Sequence, residues 1–81
     1  MIEPWNIRLG EIIRKERKQQ KLTQEELGNL AGTGLNFVSQ VENGKSSVRF
    51  DKLMALLHVL GIELHVRYGK DLISTSFEYS S

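Results

Sequence analysis

The chain has 81 residues, 11 Lys and Arg against 10 Asp and Glu for a formal net charge of +1, and no cysteine. That length is one small domain, burying only about 60% of its unfolded surface and so inclined to self-association; without thiols it has no disulfide framework and no thiolate metal site. No apolar run approaches the roughly 20 residues that cross a bilayer, and no basic segment leads into an apolar signal core, so a cytoplasmic location is expected.

Met1 to Trp5 forms a short arm with a Pro-Trp pair, and Trp5 is expected at the domain edge or a subunit contact. Asn6 is placed to cap a first helix whose Ile7, Ile12 and Ile13 point inward. Arg8, Arg14, Lys15, Arg17, Lys18 and Lys21 crowd this helix and its exit against Glu11 and Glu16. By composition that is a solvated face with some i,i+4 pairing; charge distribution matters more than the sum, and this cluster is also placed to flank a polyanion.

The stretch LTQEELGNLAGTGLNFVSQVENGK, residues 22–45, reads as two short helices joined by a glycine-bearing turn. Thr23 and Glu26 have the spacing of a capping box, and Leu27, Leu30 and Ala31 follow as an inward face. Gly32 supplies the left-handed backbone that ends the helix. Gly34 caps a second helix from Leu35 to Asn43, ended by Gly44, with Phe37, Val38 and Val41 inward and Leu35, Asn36, Ser39, Gln40 and Asn43 outward. Asn and Gln can pair with an adenine edge, and an apolar side chain can touch a thymine methyl. The bland alternative is an αα-hairpin in a small bundle. Three details weigh against it: Gly28 inside a helix, where glycine is accepted when two backbones approach closely; Gln24 at a helix N-terminus, where an amide and backbone N–H groups can hold a phosphate; and Lys45 just past the second helix.

After the loop KSSVR, Asp51 stands near the start of a fourth helix with Leu53, Met54, Leu56, Leu57 and Leu60 as core and Gly61 as its stop. Ile62, Leu64, Val66 and Tyr68 then alternate with Glu63, His65 and Arg67, the period of a strand. A lone strand leaves backbone groups unsatisfied, and the chain offers no second convincing strand. Antiparallel pairing of residues 62–68 with a second copy is therefore expected, giving a homodimer whose recognition helices lie about 34 Å apart on a palindromic operator. Residues 1–68 form the DNA-binding domain with its dimerising strand, and residues 69–81, polar and serine-rich, read as a flexible tail in which Phe77 and Tyr79 could dock on a partner. His58 and His65 have no carboxylate or thiol at ligand spacing, Ser39 has no histidine near it in sequence, and the glycine spacing is not a dinucleotide fingerprint. No enzyme, metal or cofactor is expected.

Over roughly residues 7–61, through LGEIIRKERKQQKLTQEELGNLAG and FVSQVENGK, the chain resembles the Xre/Cro repressor family of helix-turn-helix proteins. The resemblance implies a mainly α, four-helix, lambda-repressor-like domain binding double-stranded DNA in the cytoplasm, on the nucleoid. It implies that Leu35, Asn36 and Gln40 reach base edges and that Gln24 and Lys45 hold the DNA backbone, with Thr33, Ser39 and Asn43 placed beside them as phosphate contacts. It also implies a partly buried ion pair between Arg17 and Glu42, which from the residues alone read as surface charges. Gly34 departs from the usual Ser or Thr cap, and Leu35 from a common polar base reader. The segment GKSSVRFDKLMALLHVLGIELHV, with a strand where many relatives carry a fifth helix, is most similar to HipB-like antitoxins. Those repress their own operon and bind a HipA-type serine/threonine kinase toxin. The alternatives are a stand-alone phage-type or restriction-controller regulator, and a protein-binding adaptor without specific DNA binding.

Overall fold

The computed structural model describes residues 4–67 and 74–79. In chain order these form α1 (Trp5–Gln19), α2 (Gln24–Ala31), α3 (Leu35–Glu42), α4 (Phe50–Leu60), β1 (Ile62–Arg67) and β2 (Ser74–Tyr79).

Helix α1 begins earlier than Asn6 would place it. Pro4 occupies the N-cap, and its carbonyl accepts the N–H groups of Ile7 and Arg8 at 3.1 Å each. Proline suits a helix start because its own N–H would have had no partner there. Asn6, freed from capping, donates its side-chain amide to the carbonyl of Gly44, fastening the start of α1 to the end of α3. The inward stripe is Leu9 and Ile13, both buried, with Ile12 partly buried. Ile7 stands outside it, 37% exposed, because two residues before Leu9 is about 200° around a helix; it lies instead against Gly44.

The helices close around Leu9, Ile13, Leu27, Val38, Val41, Leu53, Leu56, Leu57, Leu60 and Ile62. Helix α4 supplies Leu53, Leu56, Leu57 and Leu60, a stripe at i, i+3, i+4 and i+7. Met54, expected in the core, is at the edge of that stripe and exposed. Leu30 was expected inward on α2 and is 63% exposed; the close approach at Gly28 turns the Leu27, Gly28 and Ala31 side of this helix to its neighbours, which leaves Leu30 about a quarter turn outside. Gly61 closes α4 in the left-handed conformation, φ 73°. Gln20 then donates its side-chain amide to the Leu60 carbonyl at 2.9 Å, tying the end of α4 to the exit of α1.

The strand at Ile62 is present, but its hydrogen bonds are completed within the chain. β1 pairs antiparallel with β2, from Ile62 opposite Tyr79 to Arg67 opposite Ser74. This corrects the expectation that the chain has no second strand, and with it the argument that β1 needs another copy to satisfy its backbone. Residues 74–79, read as part of a flexible tail, are that second strand; Thr75, Phe77 and Tyr79 alternate with Ser76 and Glu78, a period-two signal diluted by serine. Ile62 is buried against α4, Leu64 is partly buried, and Val66 is 62% exposed. Tyr68, assigned to the strand from sequence, is outside the described residues.

Candidate nucleic-acid interface

Helix α2 starts on a complete capping box: the Glu26 N–H donates to the Thr23 hydroxyl at 3.0 Å, and the Thr23 N–H donates to the Glu26 carboxylate at 2.9 Å. The backbone bond from Thr23, and then its side chain, hold the Glu26 carboxyl below its ordinary pKa. Gly32 ends α2 at φ 71°, and its neighbour Thr33 returns its N–H to the Gly28 carbonyl at 2.9 Å. Gly34, at φ 85°, opens α3 without any side-chain cap.

The turn is tight because Gly28 has no side chain. A Cβ there would lie 2.5 Å from both the C and O of Gly34, a separation no L-residue could accept without moving the turn. A second such contact was not anticipated from sequence. A Cβ on Gly10 of α1 would meet the Val41 carbonyl oxygen at 2.5 Å and that of Glu42 at 2.8 Å. The only sequence signal for it was a glycine inside an otherwise strong helix.

Val38 and Val41 bury the inner side of α3, and Phe37 packs partly against the core with the Lys52 ammonium 5.8 Å from its ring centroid. On the opposite side Leu35 is 45% exposed, and Asn36, Gln40 and Asn43 are exposed. Ser39 is half-buried within this surface, and Thr33 is half-buried in the turn before it. Lys45 is exposed one residue past Gly44. Such a helix presents amide donors and acceptors and one apolar tip at a single surface, the chemistry that distinguishes base pairs in a major groove.

Behind that surface, Arg17 and Glu42 meet. Arg17 Nε donates to Glu42 Oε2 at 2.6 Å and Nη2 to Oε1 at 3.0 Å, with 8% of each residue exposed. Nη1 donates to the Leu22 carbonyl at 2.8 Å. Gln24 joins them, its Nε2 donating to Glu42 Oε1 at 3.1 Å. Arg17 is thereby removed from the basic side of α1, while Arg8, Arg14, Lys15, Lys18 and Lys21 stay exposed. Gln24 is half-buried rather than freely extended into solvent.

Two short helices, a glycine turn held by backbone contact, and an exposed amide surface define a helix-turn-helix DNA-binding domain. Residues 13–66 match the family Helix-turn-helix, and the chain belongs to this Xre/Cro-type family of DNA-binding transcriptional regulators. It is 36% identical over 58 residues to the uncharacterized HTH-type transcriptional regulator y4mF of Sinorhizobium fredii (strain NBRC 101917 / NGR234), an alignment covering 72% of this chain and 76% of that protein. Among the described residues no helix is long and apolar enough to cross a membrane.

Proposed function

We propose that the protein is a sequence-specific transcriptional repressor that binds a palindromic operator as a homodimer, and that it serves as a HipB-like antitoxin with a HipA-type kinase toxin as its further partner. The exposed polar side of α3 carries the DNA reading. In this reading Leu35, Asn36 and Gln40 contact bases, while Gln24, Thr33, Ser39, Asn43 and Lys45 contact phosphates. The name of the Sinorhizobium relative, a transcriptional regulator, supports the regulatory role.

Support for the dimer now comes from exposed apolar side chains. Trp5 is 48%, Phe50 65% and Val66 62% exposed, and Trp5 and Phe50 border a cleft of about 260 Å³ with Leu9, Val48, Leu53 and Leu64. A second copy burying them would gain roughly 25 cal/mol per Å² of apolar surface. The antitoxin role is supported by the likeness of residues 44–66 to HipB-like proteins. It is tested by co-expression with the neighbouring reading frame; the proposal requires a serine/threonine kinase that co-elutes with this chain.

Selection from random duplexes tests the DNA reading directly. A palindromic site is expected. On that site Gln40→Ala should lose about 1 to 3 kcal/mol while random DNA is little affected, whereas Lys45→Ala should weaken both and lower the salt slope by about one. Equal losses for Gln40→Ala on both DNAs would remove it from the base-reading set. Sedimentation at operator-binding concentrations should show a dimer that Phe50→Ser and Val66→Ser weaken; a monomeric wild type would end the dimer model.

A further inference from the structure

The Glu42 carboxylate belongs to three helices at once. It sits on the last residue of α3, with 1% of its side chain exposed, and receives the guanidinium of Arg17 from α1 and the amide of Gln24 from the first residue of α2. An ion pair needs only the first two. The third bond has a directional consequence, because an ionised carboxylate only accepts and a side-chain amide can meet it only through its nitrogen. One N–H of Gln24 is thus committed to the protein, and the amide plane is set by an anchor that is itself held by two bonds from Arg17.

We propose that Glu42 is a positioning residue for DNA binding: by accepting from Gln24 on the oxygen that also accepts Arg17 Nη2, it holds the Gln24 amide in place for a phosphate. This rests on the reading of Gln24 as a phosphate contact. Its benefit is that a bond to phosphate then needs little ordering of a flexible side chain, whose immobilisation otherwise subtracts from affinity. The core ion pair and the DNA surface are therefore one connected network, with Arg17 fixing Glu42 and Glu42 fixing Gln24.

The test uses a random-sequence duplex, because a phosphate contact carries no sequence preference. Affinity is measured for the full chain, for Gln24→Ala, for Glu42→Gln and for the double variant, with circular dichroism confirming folding at the assay temperature. Glu42→Gln keeps the shape of the side chain, but its single carbonyl oxygen must serve the buried guanidinium, which turns its NH2 group toward the NH2 of Gln24. Gln24→Ala should weaken binding about 10-fold, the scale of one hydrogen bond to a charged group. Glu42→Gln should weaken it similarly, although removing a negative charge would by itself strengthen attraction to DNA. Adding Gln24→Ala to Glu42→Gln should then cost nothing more. Undiminished loss from Gln24→Ala in the Glu42→Gln background would overturn the positioning role, leaving Glu42 purely structural. No loss from Gln24→Ala in the wild type would instead overturn the phosphate reading, and the proposal with it. Should Glu42→Gln not fold, side-chain amide NMR of the wild type decides: Gln24 Nε2 is expected to be ordered relative to exposed Gln19, and equal mobility of the two would overturn the proposal.

Discussion

Helices α2 and α3 have the same length, 8 residues each, and are held in opposite ways. Helix α2 is secured by its own sequence: Thr23 and Glu26 satisfy each other's backbone donors, and Gly32 closes the far end. Helix α3 has no side-chain cap, and its position depends on groups distant in the chain. Gly28 and Gly10 admit its backbone, Arg17 binds its last residue, and Asn6 takes the Gly44 carbonyl just beyond it. Isolated helices this short are marginal in water. The difference teaches that α3 is placed by tertiary contacts, so its geometry is coupled to the integrity of the whole domain, while α2 is locally specified.

The strongest way to break this contrast is at the ion pair. Arg17→Ala or Glu42→Ala should destabilise the fold by about 3 to 5 kcal/mol, because the remaining charge stays buried without its partner, and replacing both by apolar residues should cost less than either alone. Denaturant titration of the cycle measures this, and hydrogen exchange should show α3 amides losing protection before those of α2. Small additive effects would place both charges in solvent and dissolve the contrast.

Gly28→Ala sharpens it further, because two effects oppose. Alanine favours a helix by about 1 kcal/mol relative to glycine, so α2 considered alone should gain. The added methyl would instead press on the Gly34 backbone, and overpacking of this kind costs about 1 to 3 kcal/mol. A lower melting temperature is expected, and a raised one would show that the α2–α3 contact yields.

The smallest effect belongs to the local device. Thr23→Ala should cost about 0.5 to 2 kcal/mol, with exchange rising first in α2. The pH dependence of the box belongs to a second variant, Glu26→Gln, because the Thr23 N–H that donates to the Glu26 carboxylate survives in Thr23→Ala. The Glu26 carboxyl, ordinarily near 4.5, is lowered in the folded chain by its bonds to Thr23, so its contribution is complete above that value and disappears as pH falls through the lowered one. The acid limb of the stability profile of wild type minus Glu26→Gln should lie in that window; a difference independent of pH would show that the Glu26 carboxylate does not close the box.

Signals that close over a few residues were enough to locate the capping box at Thr23, the stops at Gly32 and Gly61, the leucine stripe of α4 and the start of β1. Periodicity was less dependable at element edges, where Leu30, Met54 and Ile7 fit a helical pattern yet point away from the core, because the buried arc is set by which neighbours arrive. Arg17 and Glu42 illustrate the limit most clearly. Separated by 25 positions, they read from the residues alone as surface charges, and family resemblance was needed to pair them.

By itself the sequence determined four helices, the glycine turn, the amide side of α3 and a strand after Gly61, all of which follow from backbone conformation and hydrophobic period over short windows. Only the tertiary structure decided that Gly10 is a point of backbone contact, that Asn6 holds Gly44 rather than capping α1, that Gln24 shares the Glu42 carboxylate with Arg17, and that β1 finds its partner in residues 74–79 of its own chain. The physical reason is common to all four. Each depends on which groups are brought together across 18 to 38 positions or across a strand register, and a hydrogen bond or a close approach at that separation leaves no periodic trace in the residues that make it.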